Sequence, residues 1–102
     1  MTKLKLVVSP AARRKMAEIW RYTADRWGIG QADAYLGQIY STIARAVELP
    51  GIGGPVTGLP PIYRKLKAGS HRVIYRCTAD ELIVVHVIHE REDVPDEIED
   101  AW

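Results

Sequence analysis

Residues 62–89 read IYRKLKAGSHRVIYRCTADELIVVHVIH, with apolar and polar residues alternating along most of the run. A period of two is the pattern of half-buried strands. Gly69-Ser70 interrupts the alternation at a place suited to a type II′ turn, since glycine supplies the positive φ that its first position needs. That turn predicts a hairpin of strands 62–67 and 72–77, with Lys67 opposite Arg72 and Lys65 opposite Ile74. Thr78 to Glu81 then turns the chain into a third strand, 82–89. The register sorts the side chains, because each step along a strand changes face. One face is expected to carry Ile62, Leu66, Val73, Tyr75, Cys77, Leu82, Val84 and Ile88, with Arg64 and His86 as polar exceptions. The other carries Tyr63, Lys65, Lys67, Arg72, Ile74, Arg76, Ile83, Val85, Val87 and His89, an apolar centre with a basic rim. Such a face is not expected to meet water alone.

Upstream the period is helical. Leu4 to Val8 read as a short strand, and Ser9-Pro10 supplies an N-cap followed by proline at the first helical position. An apolar stripe then runs through positions 12, 16, 19, 20, 23 and 27, and Gly28 is placed to end the helix. A second stripe, Ala32, Leu36, Ile39, Tyr40, Ile43 and Val47, repeats that spacing. Only Gly28-Ile29-Gly30 separates the two helices, which predicts an antiparallel helical hairpin. Residues 50–61, PGIGGPVTGLPP, hold half the glycines and four of the six prolines, so an irregular connector is expected. The order is therefore β-α-α-β-β-β, an α+β domain with the hairpin packed on one face of an antiparallel sheet. With this count of elements, the first strand is expected to pair antiparallel beside the last.

The chain of 102 residues suits one domain, placed at 1–93, with an acidic tail at 94–102. Its longest apolar runs are four residues, which excludes a membrane-spanning helix. The opening Met1-Thr2-Lys3-Leu4-Lys5 lacks the apolar core of a secretion signal, and a single cysteine, Cys77, makes no internal disulfide. A cytoplasmic protein is expected. The net charge of +1 conceals an asymmetry: residues 1–89 carry +7 and residues 90–102 carry −6. Val94, Ile98 and Trp102 recur every fourth residue among the tail's acids, a helical stripe able to fold back on the basic sheet face.

Five cations, Arg64, Lys65, Lys67, Arg72 and Arg76, fall within thirteen positions that contain no acid. They form a candidate site for phosphate, nucleic acid or an acidic peptide. Lysines on an edge strand also discourage sheet-to-sheet aggregation, which accounts for Lys65 and Lys67 but not for the internal Arg72 and Arg76. His86 and His89 are an odd number of residues apart on one strand, so they cannot share an ion, and no metal or other cofactor is expected. His86 reads as a core histidine and His89, near Arg91, as a candidate general acid or base. Cys77, Trp20 and Trp27 read as core. Tyr22 and Tyr35 fall just outside the helical stripes, on an edge where aromatics anchor partners.

The stretches LVVSPAARRKMAEIWRYTADRWG (6–28), QADAYLGQIYSTIARAVELPGIG (31–53) and RKLKAGSHRVIYRCTADELIVVHVIHERED (64–93) resemble the ParE toxins of the RelE/ParE superfamily. These are the toxin halves of bacterial toxin–antitoxin modules, also described as plasmid stabilisation proteins. The resemblance implies a toxin neutralised by a ParD-like antitoxin, with DNA gyrase as its target and no sequence-specific DNA binding of its own. RelE-type relatives instead cleave messenger RNA on the ribosome without metal. In that role Arg64, Lys65, Lys67, Arg72 and Arg76 would bind phosphate and His89 would transfer the proton. The absence of any tyrosine after Tyr75, and the acids after His89, favour the ParE branch. The acidic ending departs from the family pattern, and a decayed toxin that retains only antitoxin binding is a further alternative. Residues expected to contact antitoxin or target are Tyr63, Lys65, Lys67, Arg72, Ile74, Arg76, Ile83, Val85, Val87 and Arg91, with Tyr22 and Tyr35 on the helical edge.

Overall fold

The computed structural model describes residues 3–95. Strand β1 (Lys5–Val8) leads into helix α1 (Pro10–Trp27), and α2 (Ile29–Glu48) follows at once. A short 3-10 turn (Pro50–Ile52) and a two-residue strand β2 (Gly54–Pro55) lie in the connector. Strands β3 (Arg64–Ala68), β4 (His71–Cys77) and β5 (Glu81–His89) complete one five-stranded sheet, ordered β1-β5-β4-β3-β2.

The helix boundaries follow from local chemistry. Ser9 Oγ accepts from Ala12 N at 3.1 Å, satisfying one of the donors that a helix start leaves unpaired. Gly28, at φ 93°, closes α1 with its N–H on Ala24 O and directly precedes α2. The link is thus a single residue rather than the expected three. Trp20 Nε1 donates to Asp33 Oδ1 at 2.9 Å, tying the two helices together. In the β3–β4 hairpin Gly69 has φ 58°, and among the described residues no non-glycine, Ser70 included, has a positive φ, as a II′ turn requires. A Cβ at Gly69 would stand 2.7 Å from the ring of Tyr35, so the turn also needs glycine for the approach of α2. The expected pairs, Lys67 with Arg72 and Lys65 with Ile74, are present.

The sheet differs from expectation in two ways. First, β1 pairs with β5 in parallel, Lys5 opposite Glu81 through Val8 opposite Val84. The reason is an extra reversal in the connector: Gly54-Pro55 pairs antiparallel with Lys65 and Arg64, so the chain turns back once more before β3. Second, β5 bulges between its pairings with Ile74 and Tyr75. Tyr75 lies opposite Val84 and Ile74 opposite His86, leaving Val85 as the additional residue. A bulge shifts the alternation by one. Val87 therefore joins the core beneath the helices and Ile88 the opposite cluster, the reverse of their expected faces.

The main core lies between the helical hairpin and the sheet, around Met16, Ile39, Ile43, Tyr75, Leu82 and Val84. Ser9 locks this core to the bulge: its Oγ–H donates to Val85 O at 2.8 Å and its N–H to Val84 O at 2.9 Å. Tyr75, fully buried, donates to Pro50 O and accepts from Gly53 N, while Arg64 donates to Gly51 O and Gly53 O. The two side chains pin the connector against β3 and β4. A second cluster, Val56, Tyr63, Ile74, Ile83, Val85 and Ile88, covers the other face, with Val7, Leu59 and Val94 packed against it.

Several side chains fall outside their expected environments. Trp27 is 63 % exposed at the end of α1, and Tyr40 and Ile62 are also exposed. Cys77 is exposed at the last position of β4, and desolvation raises its thiol pKa, the opposite of an activated nucleophile. Ile98 and Trp102 of the acidic stripe lie outside the described residues; Val94, its first member, packs on the second cluster.

Candidate functional site

The expected basic face is assembled in part. Lys65, Lys67, Arg72 and Arg76 share the face of Ile74 and Ile83 by register, with Lys67 exposed and the other three half-buried. Lys67 Nζ reaches Glu90 at 4.0 Å, so the first acid after β5 borders this face. Its apolar centre is not open: Ile74, Ile83 and Val85 are buried under Val56, Leu59, Tyr63 and Val94 of the same chain. Val87 is removed from the face by the bulge. Tyr63 is buried too, within that cover, whereas Arg91 is exposed in the turn after β5. Arg64 pairs with Tyr75 and is engaged with the connector carbonyls, away from the other four cations.

His89 is the larger correction. The bulge places it opposite His71, and His71 lies opposite Ala68 of the main core. Its ring stands 5.1 Å from that of His71, on the helical side of the sheet. His89 and the basic cluster are therefore on opposite faces. The same shift moves His86 from its expected helical face to the position opposite Ile74, on the face of the cations, where it is half-buried with its Nδ1 accepting from Val87 N, and burial lowers its pKa.

On the helical side a groove of about 620 Å³ runs along α1 to the start of α2 and the ends of β4 and β5. Lys15, Glu18, Tyr22 and Trp27 line it from α1, Gln31 and Tyr35 from α2, His71 and His89 from the sheet, and Glu92 from the following turn. Tyr22 and Tyr35 thus do share one surface. Tyr22 is 56 % exposed and meets Trp27 edge-on at 6.3 Å. Tyr35 is engaged: its hydroxyl accepts from Ser70 N at 2.9 Å and lies 2.6 Å from His71 Nδ1. The hydroxyl also lies 3.5 Å from Ala68 O, so it joins the β3–β4 turn to the His71 ring.

His89 Nδ1 accepts from Arg91 N at 3.1 Å. Burial, then the neighbouring His89, then Lys15 lower the His71 pKa. Glu92 Oε1 accepts from Lys15 Nζ at 2.7 Å and from His89 N at 2.9 Å, and the lysine hydrogen bond leads the lowering of its pKa. The Lys15, Glu18, His71 and Glu92 contributions were missed in the sequence. Only the β3–β4 register hinted at His71, and nothing local marks the bulge that brings His89 to it. Among the described residues no group of three or more potential ligands could hold a metal ion. No described helix is long and apolar enough to cross a membrane.

The family of ParE toxins of type II toxin–antitoxin systems, parDE, matches residues 6–94. Toxin ParE1 of Mycobacterium tuberculosis is 46 % identical over 91 residues, 88 % of this chain and 93 % of the relative. Toxin ParE1 of Caulobacter vibrioides is 35 % identical over 83 residues, 81 % of this chain and 85 % of the relative. Among solved structures, a chain of the chromosomal ParDE system from P. aeruginosa superposes with a TM-score of 0.73 at 13 % identity, covering 85 % of this chain and 96 % of that one. A chain of the RelBE2 toxin–antitoxin complex from Mycobacterium tuberculosis gives 0.58 at 16 % identity, covering 86 % of this chain and 99 % of that one. These structural likenesses establish the α+β fold common to both groups.

Proposed function

This chain belongs to the ParE toxin family of type II toxin–antitoxin systems, and on that premise we propose that it binds and inhibits DNA gyrase without enzymatic activity of its own and is neutralised by a cognate ParD-like antitoxin. The observation that carries the choice between the two branches of the superfamily is the position of His89. A metal-free nuclease needs its proton-transfer group beside the cations that hold the phosphate. Here Lys65, Lys67, Arg72 and Arg76 lie across the sheet from His89, and the imidazole that shares their face by register, His86, is half-buried with its Nδ1 engaged by Val87 N. The arrangement favours action by binding over RNA cleavage.

An antitoxin partner is supported by the solved relatives, described as a ParDE system and a RelBE2 toxin–antitoxin complex. In our reading an acidic segment of the antitoxin follows the rim formed by Lys65, Lys67, Arg72 and Arg76. Charge complementarity steers the encounter and sets the register. To reach Ile74 or Val85 as well, the segment has to displace Val94 or the connector residues that cover them.

Induced expression in a bacterial host, with plasmid supercoiling and translation followed together, tests the target. Lost supercoiling with DNA breaks and continued early translation is the expected result. Immediate translation arrest with cleaved transcripts would transfer the protein to the nuclease branch, and unimpaired growth would leave antitoxin binding as its retained activity.

A further inference from the structure

The chain does not leave the sheet where β5 ends. Glu92 is held on the helical side by Lys15 Nζ and His89 N, and Val94, two residues on, packs against the second cluster on the opposite face. Between them the backbone crosses the end of the sheet and turns onto the basic face. Val94 and Pro95 are half-buried there, and Glu90 already borders Lys67 at 4.0 Å. Among the described residues Lys65 and Arg72, both half-buried, form no ion pair. The next seven residues, DEIEDAW (96–102), hold four acids and no cation. They lie outside the described residues and beyond the span 6–94 that the ParE family matches.

We propose that residues 96–102 seat on the basic rim of their own chain, as a built-in acidic cover for Lys65, Lys67, Arg72 and Arg76. The reach is sufficient. By register Lys65 stands opposite Ile74, Arg72 opposite Ile88 and Arg76 opposite Ile83, and all three partners belong to the cluster on which Val94 packs. Arg72 and Arg76, four residues apart on β4, are about 14 Å apart at the usual strand rise. Seven extended residues span up to about 24 Å, so a segment anchored at Val94 reaches either cation. The charges are complementary. The described acids that register or contact places on this face are Glu81, opposite Lys5, and Glu90, near Lys67, which leaves the centre of the rim to Asp96, Glu97, Glu99 and Asp100. Ile98 and Trp102 follow Val94 at intervals of four, the spacing that sets side chains together along a helix opened by Pro95. Val7 and Leu59, only partly buried in the same cluster, offer them apolar surface. The rim is also where our functional reading seats the antitoxin's acidic segment, so on that reading the antitoxin displaces this cover. The cover itself requires neither antitoxin nor gyrase.

The test follows the backbone amide signals of Lys65, Lys67, Arg72 and Arg76 by NMR in the full chain and in two altered chains. One ends at Pro95. The other keeps its length and carries Asp96→Asn, Glu97→Gln, Glu99→Gln and Asp100→Asn, so the bare rim is read even where the shortened chain does not fold. At about 20 mM salt the full chain is expected to differ from both at the rim. The difference should vanish at about 1 M salt, where the Debye length is about 3 Å. The free peptide acetyl-DEIEDAW-amide should move the same signals in the altered chains. It should bind them about tenfold more tightly than it binds the full chain, whose own segment competes at millimolar effective concentration. Coincident rim signals in the full chain and the amide variant, or equal peptide affinity for the two, would overturn the proposal. So would a difference that persists at about 1 M salt, which would make the contact apolar. Rim signals that move with protein concentration would assign the segment to a second copy and also overturn it. No antitoxin or gyrase is present in these measurements, so each of these failures leaves the antitoxin reading of the rim standing.

Discussion

On one face of the sheet Lys65, Arg72 and Arg76 surround an apolar cluster that the chain covers with its own connector and Val94. On the other, His71 and His89 face each other beside a matched Lys15–Glu92 pair, and the groove stays open. The first face carries lysine and arginine cations, the second a pair of imidazoles in edge contact. One additional residue separates these outcomes. Without the bulge at Val85, His89 would stand among the cations and Val87 among the second cluster; with it, His89 leaves that face and His86 takes the register position opposite Ile74. Side-chain chemistry is thus divided between the faces by a backbone irregularity rather than by composition.

Deleting Val85 is the most severe test of the bulge. The deletion closes it with Val84 still opposite Tyr75 and His86 opposite Ile74, so residues 86–89 keep their present faces, while a buried side chain and the carbonyl bound by Ser9 Oγ are lost. A loss of about 4 kcal/mol or more is expected in urea denaturation. His89 displaced from His71 in the NMR spectrum of the deletion would show that the register does not survive closure of the bulge. Ser9→Ala addresses the same feature from the helix. It removes the cap on α1 and leaves Val85 O buried without its hydroxyl donor, which together should cost about 2 to 3 kcal/mol. A loss of only about 0.5 kcal/mol would mean that the bulge carbonyl finds another partner.

Charge reversal sharpens the other side of the comparison. Arg72→Glu with Arg76→Glu should weaken antitoxin binding by about 2 kcal/mol in a calorimetric titration, with the fold intact by circular dichroism. Unchanged affinity would move the antitoxin off this face.

The smallest effect is set by pH. The folded chain holds the His71 pKa below its ordinary value of 6.5, chiefly through burial, so the unfolded chain takes up the proton more readily. Stability from this source is full above about pH 6.5 and is lost as the pH falls toward the folded pKa. His86 acts in the same direction. His71→Gln should flatten the stability profile over that window; an unaltered slope in denaturation at several pH values would assign the dependence to other groups.

Much of this architecture was legible in the sequence because it depends on local signals. Ser9-Pro10 and Gly28 delimit α1, Gly69 sets a turn that only glycine fits, and the turn fixes the β3–β4 register. What escaped is non-local. The parallel β1–β5 pairing depends on Gly54-Pro55 finding β3 within a stretch whose glycines and prolines suggest no strand at all. The bulge depends on Ser9, 76 positions away, supplying a donor for Val85 O. The candidate site was misread for that reason: five cations clustered in sequence were visible, while His71, His89, Lys15 and Glu92 meet only after the sheet and α1 have packed. Trp27 was misplaced because it ends the apolar stripe at the last residue of α1, beyond the cover of the sheet.

The pairing of β1 with β5 also has a consequence in time. At about 5–20 residues per second, a ribosome adds the 76 residues from Ser9 to Val85 in about 4 to 15 s. For that interval the first strand of the nascent chain has no sheet neighbour, and Ser9 has no bulge carbonyl to bind. Both helices and the β3–β4 hairpin can be synthesised in full before the strand that joins them to the N-terminus exists. The sheet closes only once β5 has been made, so an antitoxin made nearby has those seconds to meet the chain before its sheet is assembled.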